Sequence, residues 1–129
     1  MPDWPNCKPK WKHPKLKKIR KIKCWKTKYG WKVWHDKKNF KMRHGVDIGT
    51  GTDLFCHEPI YIGDNVQIGG HCLLYTYNSI NQTRACIIIG DNVTIGAKSI
   101  ILPGVVIRAD EHVPAGSIVY FRKGETIIK

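Results

Sequence analysis

The sequence predicts an all-β fold, a parallel β-helix of six-residue repeats that follows a basic N-terminal arm. Three observations predict it: an aliphatic residue recurs at every sixth position, glycine and Asp-Asn pairs stand between these aliphatics, and positive charge is concentrated at one end of the chain. The 129 residues allow one compact domain. With 42% hydrophobic and 25% charged residues, most of the chain is expected to be globular.

The six-residue period is clearest in the second half of the chain. A helix would place apolar residues three or four apart and a half-buried strand two apart, so neither explains a spacing of six. Short strands joined by tight corners explain it, with one aliphatic side chain per side pointing into a narrow prism. The aliphatic residues that keep this spacing, in three runs, are Ile48, Leu54, Ile62, Ile68, Leu74, Ile89, Ile95, Ile101, Ile107, Val113 and Val119.

The residues between the aliphatics repeat as well. A Gly-Asp-Asn triplet follows both Ile62 and Ile89, and glycine with Asp-Asn is expected to supply corners with positive φ. The fifth place of each repeat holds a small residue, which is expected to fill the interior beside the aliphatic column. These fifth-place residues are Thr52, Val66, Cys72, Val93, Ser99, Val105 and Ser117. About four stacked coils would result.

The repeats resemble the left-handed β-helix acyltransferases of the hexapeptide-repeat superfamily. The resemblance is carried by Ile-Gly-Asp-Asn-Val-x-Ile-Gly and by Ile101-Leu102-Pro103-Gly104-Val105, and it covers about residues 29–121. Within that superfamily, residues 69–76, the loop that follows and residues 31–40 look like sugar N-acetyltransferases. The resemblance implies left-handed winding, acetyl-CoA as co-substrate and a nucleotide-linked amino sugar as acceptor. It also implies a homotrimer with each active site between two subunits.

Two insertions interrupt the rhythm, and loops of a solenoid commonly carry its binding functions. The first contains Cys56-His57-Glu58-Pro59, and the second runs over residues 75–84. In the resembled family the second loop carries a histidine and projects toward a neighbouring subunit. Here position 77 is tyrosine, whose ordinary pKa near 10 makes it a poor base at neutral pH.

The missing histidine leaves three interpretations open. Acylation of an amine releases a proton, and another base could accept it, with His57, Glu58 and His71 as the candidates. The departing thiolate could take the proton instead, so that no protein base is needed. The chain could also be inactive. The candidate catalytic residues are His57, Glu58, His71, Tyr77 and Asn78.

For the acyl donor, the resemblance implies that coenzyme A lies in the groove between adjacent prisms, against small residues stacked one coil apart. Ala97 and Ala115 are 18 residues apart, which is one three-sided coil. Thr94 stands where many relatives have tryptophan, and Lys98 is a candidate partner for the nucleotide phosphates. No metal is expected.

The basic arm is assigned to residues 1–44 and the β-helix domain to residues 45–129. The arm carries 16 of the 22 Lys and Arg residues and two of the ten acidic ones, a net charge of +14 against −2 for the remainder. One interpretation is a cap, with Trp25, Trp31 and Trp34 over the open end of the prism. Another is an anionic membrane surface bound through residues 8–28, where apolar spacing suits a short helix over 15–26. Nucleic acid is the least favoured partner.

Cysteine count, hydropathy and histidine spacing disfavour several other classes of protein. The five cysteines are an odd number without a C-x-x-C pair, which favours reduced thiols in a cytoplasmic protein. No stretch approaches the roughly 20 apolar residues that span a bilayer. A carbonic anhydrase of the same fold needs a close histidine pair to bind zinc, which the spacing of the histidines does not offer. The remaining alternative is a non-catalytic trimeric scaffold whose arm binds membrane or nucleic acid.

Overall fold

The computed structural model describes residues 23–129, and these form a three-sided parallel β-solenoid of about four coils. Each side is a sheet of short strands stacked along the axis. Face 1 contains β1 (Cys24–Lys26), β2 (Lys32–Trp34), β5 (Asp53–Phe55), β8 (Leu73–Tyr75), β13 (Ile100–Ile101), β16 (Ile118–Arg122) and β17 (Glu125–Ile128). Face 2 contains β3 (Phe40–Met42), β6 (Ile60–Ile62), β11 (Ile87–Ile89) and β14 (Val106–Ile107). Face 3 contains β4 (Asp47–Ile48), β7 (Gln67–Ile68), β12 (Thr94–Ile95) and β15 (His112–Val113).

Two further elements lie outside the three faces. A 3-10 helix covers Lys37–Asn39, and the strands β9 (Tyr77–Asn78) and β10 (Thr83–Arg84) pair as an antiparallel hairpin. Both lie between a strand of face 1 and the following strand of face 2. They therefore emerge from the same edge of the prism, which we name the loop corner (residues 35–39, 56–59, 76–86 and 102–105).

The interior confirms the predicted six-residue pattern. Strands of successive coils pair in parallel and in register, so that Leu54 lies opposite Leu74, which lies opposite Ile101. Every aliphatic residue and every fifth-place residue predicted to face inward is buried, with no more than 5% of its surface exposed. Inward side chains from one coil thus lie against those of the next and exclude water from a continuous column.

The corners differ in one respect from the prediction. Asn65 and Asn92 adopt positive φ, each at 57°, whereas the glycines of the same triplets do not. Those glycines are needed for a different reason: a Cβ on Gly90 would lie 2.6 Å from the backbone nitrogen of Ala109 in the next coil. Asparagine supplies the left-handed turn, and glycine allows the close approach of successive coils.

The solenoid begins upstream of residue 45. Strands β2 and β3 pair in parallel with β5 and β6, so residues 32–42 form two sides of the first coil. The assigned boundary between residues 44 and 45 therefore falls inside that coil. The predicted helix over 15–26 does not reach its expected end, because Cys24–Lys26 form β1. Residues 1–22, which include most of the proposed membrane-binding segment, lie outside the described residues.

Both ends of the described solenoid are covered by antiparallel strands. At the first coil β1 pairs with β2, with Trp25 opposite Val33, while Trp31 packs against Phe40 beside the core. At the last coil β17 folds back on β16, and the Thr126 hydroxyl accepts from the amide of Val106 and donates to its carbonyl. These contacts satisfy backbone groups that stacking would otherwise leave unpaired. No helix within residues 23–129 has the length and apolar character needed to traverse a bilayer.

Candidate active site

The loop corner brings together side chains from three successive coils. His35 follows β2, His57 lies two residues beyond β5, and Tyr77 lies two residues beyond β8. The centroids of the two imidazole rings are 3.5 Å apart, and the His57 and Tyr77 centroids are 5.1 Å apart. Three rings thus form a column that runs parallel to the solenoid axis.

An aromatic column on face 1 supports these rings. The rings of Trp34 and Phe55 stack at 6.0 Å, and those of Phe55 and Tyr75 at 4.8 Å with planes only 4° apart. The Trp34 indole N–H also donates to the Asp53 carboxylate at 3.0 Å. Since each aromatic residue ends a strand of face 1, the stack fixes the point from which each loop-corner segment departs.

The segment that carries His57 is held from both neighbouring coils. From below, the side-chain amide of Asn39 donates to the carbonyls of Cys56 and His57, each at 3.2 Å. From above, the buried Thr76 hydroxyl donates to the Phe55 carbonyl at 2.6 Å and accepts from the amide of Glu58 at 2.9 Å. The backbone of this insertion is therefore fixed by hydrogen bonds on each side.

Glu58 and Arg84 form an ion pair over the outer side of this cluster. Their atoms Oε1 and Nη2 are 3.0 Å apart, and the guanidinium carbon lies 5.8 Å from the centroid of Tyr77. The Arg84 side chain is half exposed, so the pair contributes little stability. Its effect is positional, because it joins the hairpin of the second insertion to the first insertion.

The electrostatics of the cluster favour neutral imidazoles. Burial lowers the pKa of His35 below its ordinary value. Burial is also the largest cause of the lowered pKa of His57, with the neighbouring His35 and Arg84 acting in the same direction and Glu58 opposing them. The Nδ1 atom of His57 is buried without a hydrogen-bond partner among the described residues. A neutral imidazole at neutral pH can accept a proton, which a charged one cannot.

The structure divides the predicted catalytic residues between two corners. His57, Glu58, Tyr77 and Asn78 meet at the loop corner, where Asn78 forms part of the hairpin and accepts from the amide of Ile80 through its side-chain oxygen. His71 lies instead at the corner between faces 3 and 1, at φ 57°, and its amide donates to the Thr50 carbonyl. The structure thus does not bring His71 together with the other candidates.

The predicted donor-binding residues lie on or near the corner between faces 3 and 1. Ala97 and Ala115 are stacked there, exposed, with the Gly116 amide donating to the Ala97 carbonyl at 2.9 Å. Lys98 occupies the same corner at φ 61°. Thr94 lies on face 3 beside Gln67 and His112 of the adjacent coils. Small side chains leave an open surface along this edge.

Two residues of the cluster are not identified by the sequence pattern. His35 and Asn39 lie in the segment that composition assigns to the basic arm, and no insertion marks them. They can be found instead from the aromatic residue that ends each of three strands of face 1. Trp34, Phe55 and Tyr75 occupy equivalent positions in successive coils. Extending the repeat upstream on that basis places His35 below His57.

Comparisons with known proteins agree with this fold. Residues 86–120 match the family model described as the hexapeptide repeat of succinyl-transferase. The chain is 34% identical over 86 residues to the bifunctional protein GlmU of Hydrogenovibrio crunogenus, a match that covers 63% of this chain and 18% of that protein. The chain therefore spans less than a fifth of this curated relative.

Two solved structures share the fold. One is a maltose O-acetyltransferase from Clostridium difficile 630, with a TM-score of 0.61 and 21% identity, covering 78% of this chain and 63% of that one. The other is a hexapeptide-repeat-containing acetyltransferase from Vibrio cholerae, with a TM-score of 0.52 and 23% identity, covering 74% and 64%. The fold and the repeats define a β-solenoid of hexapeptide type, and residues 86–120 carry the repeat that the family model describes.

Within residues 23–129, no group of three His, Cys, Asp or Glu side chains is arranged to hold a metal ion.

Proposed function

We propose that this protein is an acetyltransferase that transfers the acetyl group of acetyl-CoA to the amine of a nucleotide-linked amino sugar. The match of residues 86–120 to the hexapeptide-repeat family model and the structural likeness to two acetyltransferases support the reaction class. The partial match to GlmU supports an amino-sugar acceptor. The observation that carries the proposal is the position of the His57 imidazole. Its ring centroid lies 5.1 Å from that of Tyr77, which belongs to the second insertion, the loop where the resembled family has its histidine.

In the proposed reaction His57 accepts the proton that the amine loses. The amine nitrogen attacks the thioester carbonyl, the new C–N bond forms, the C–S bond breaks, and the departing thiolate takes a proton from the imidazolium. A neutral imidazole is required before attack, and burial favours that form at His57. Asn39 and Thr76 hold the insertion in place, so the ring needs no large rearrangement to meet a substrate.

The donor is proposed to bind along the corner between faces 3 and 1. Ala97 and Ala115 present small exposed side chains one coil apart, which allows a pantetheine chain to approach the backbone. Lys98 supplies a cation for the phosphates, and Thr94 lines the adjoining face.

A homotrimer is part of the same proposal. Apolar side chains point outward from face 2, where Tyr61, Ile88 and Val106 form one row across paired strands and remain 40–44% exposed. On face 1, Ile118 is 45% exposed. Packing of prisms side by side would bury such rows and would bring the loop corner of one subunit close to the donor corner of another.

An acetyl-transfer assay tests the proposed function directly. Purified protein is mixed with acetyl-CoA and a panel of nucleotide-linked amino sugars, and thiol release and product mass are followed. His57→Ala is expected to lower kcat by about 100-fold or more, the usual effect of removing a general base. His44→Asn, which changes an exposed histidine at another corner, is the matched control. Absence of transfer to every amino-sugar nucleotide, or an unaltered kcat in His57→Ala, would contradict the proposal.

A further inference from the structure

A cleft of about 350 Å³ adjoins the imidazole pair at the first coil. We name it the lysine cleft, and it is lined by Lys23, Trp25, His35, Asp36, Lys37 and Lys38. It is formed where β1 lies beside the end of β2 and the chain turns into the 3-10 helix. The shape is concave, and His35 is shared between this cleft and the column of rings at the loop corner.

The charge of the lysine cleft is strongly positive. Three ammonium groups line it against one carboxylate. That carboxylate, on Asp36, accepts the backbone amide of Lys38 at 2.9 Å and so caps the 3-10 helix. None of the three lysines forms an ion pair with another residue of the described range 23–129. Concentrated like charge in a concavity favours an anionic ligand, which relieves the repulsion between the ammonium groups.

One lysine is also held in position. The Lys37 ammonium lies 5.7 Å from the centroid of the Trp25 ring, within the range of a cation–π interaction. The indole thus keeps this cation at the wall of the cleft. Two or three lysines that converge on one concavity bind phosphate groups well, since each ammonium supplies several charge-assisted hydrogen bonds.

The lysine cleft lies close to the proposed catalytic base, His57. His35 lines the cleft and its ring lies 3.5 Å from that of His57. A ligand anchored by phosphate at Lys37 and Lys38 could therefore extend past His35 and place its reactive end at the loop corner. A phosphate-bearing substrate of extended shape fits this arrangement.

We propose that the lysine cleft binds the diphosphate of a substrate and so orients it toward His57, an inference that rests on the proposed function for its link to catalysis. The diphosphate could belong to a nucleotide-linked acceptor or to coenzyme A. The recognition chemistry is the same in both cases: ammonium groups of Lys23, Lys37 and Lys38 neutralise phosphate oxygens, with Trp25 beside them.

Calorimetric titration of the full chain tests this site without any need for turnover. The probes are inorganic pyrophosphate, uridine diphosphate and coenzyme A, each titrated into wild type, Lys37→Gln/Lys38→Gln and Lys37→Arg/Lys38→Arg. The matched control is Lys26→Gln/Lys28→Gln, which removes the same charge from exposed lysines nearby that do not line the cleft. The lysines of both pairs are exposed, and circular dichroism verifies that each variant is folded.

The expected result is a Kd for pyrophosphate that rises about tenfold or more in Lys37→Gln/Lys38→Gln, and about threefold or less in the control. The double arginine variant should retain binding. If uridine diphosphate follows pyrophosphate while coenzyme A does not, the acceptor is the source of the diphosphate; the reverse pattern identifies the donor. Equal losses in the test and control variants, or no binding of any probe by wild type, would overturn the proposal.

Phosphate binding in the lysine cleft and acetyl transfer at His57 can be tested separately. The variant His57→Ala should bind pyrophosphate as wild type does, since His57 does not line the cleft. Binding in the cleft without acetyl transfer would contradict the proposed function alone. If Lys37→Gln/Lys38→Gln transfers acetyl groups with an unaltered KM for both substrates, only the proposed role of the lysine cleft would be contradicted.

Discussion

The side-chain amide of Asn39 donates to the carbonyl of His57 at 3.2 Å, and this bond joins the first coil to the insertion of the second. The same amide group reaches the carbonyl of Cys56. Asn39 stands 18 residues before His57 in the sequence and directly below it in the structure. Its role is to position the insertion, since it contacts backbone and not the imidazole.

Replacing Asn39 with alanine should impair catalysis more than it reduces the stability of the fold. Loss of two hydrogen bonds to partly buried carbonyls is expected to lower the free energy of unfolding by about 1–3 kcal/mol. If His57 accepts the proton, kcat should fall while KM changes little, because the ring is displaced and the substrate contacts remain. Denaturant unfolding and steady-state kinetics measure the two effects. Asn81→Ala, at an exposed turn of the hairpin, serves as the control; equal effects in both variants would argue against positioning.

The stacked imidazoles should make stability depend on pH. Burial lowers the pKa of His35 and His57 in the folded chain, while in the unfolded chain both keep the ordinary value of 6.5. The unfolded state therefore binds more protons below that value. Stability should be full above about pH 6.5 and should decrease as pH falls through 6.5 toward the lowered folded pKa values.

Urea unfolding from about pH 7.5 to about pH 5 measures this slope. The double variant His35→Phe/His57→Phe removes both titrating rings and should flatten the curve in that window. His44→Asn, which changes an exposed ring outside the cluster, is the matched control. A slope unchanged in the double variant would show that the pH dependence arises elsewhere.

Neighbouring isoleucines on β11 should respond differently to truncation. Ile87 is fully buried, whereas Ile88 points outward and is 40% exposed. Ile87→Ala is expected to lower the free energy of unfolding by about 2–5 kcal/mol, through lost burial and the cavity that remains. Ile88→Ala should cost far less in a single prism. Thermal unfolding of the two variants at low protein concentration makes the comparison, and similar losses would contradict the assigned inward and outward faces.

A glycine-to-alanine substitution should reduce stability by different amounts at two positions. In Gly90→Ala the Cβ would lie 2.6 Å from the backbone nitrogen of Ala109, so neighbouring coils must separate. Gly124 has φ +79°, but a Cβ added there would meet no atom within 4 Å, so Gly124→Ala should cost only about 1–2 kcal/mol of backbone strain. Gly90→Ala should lower the melting temperature clearly more. The opposite order would mean that φ, and not contact between coils, sets the need for glycine here.

Much of the fold could be predicted from local pattern. The spacing of Ile89, Ile95 and Ile101 identifies which side chains face inward, because each six-residue unit makes one side of the prism regardless of its neighbours. The start of the solenoid is harder to predict from the sequence. Basic composition favours a boundary at residue 44, yet Val33 is buried in the first coil. Charge distribution reports on the outer surface and does not reveal what faces the interior.

The candidate site was predictable only in part. The two insertions identify His57, Glu58, Tyr77 and Asn78, since a break in a strict repeat is visible in the sequence. Neither His35 nor Asn39 can be identified from a break in the repeat. Both lie within residues 1–44, where the basic composition predicts an arm and no repeat is recognised.

The sequence by itself determined the repeat, the inward column and the places where loops leave the prism, since these depend on residues six apart. Only the tertiary structure decided which loops meet. Trp34, Phe55 and Tyr75 stack although they are 21 and 20 residues apart, because hydrogen bonds between coils align strands across insertions of unequal length. That alignment places His35 against His57 and puts His71 at another corner, and it follows from backbone pairing between coils, which no single repeat encodes.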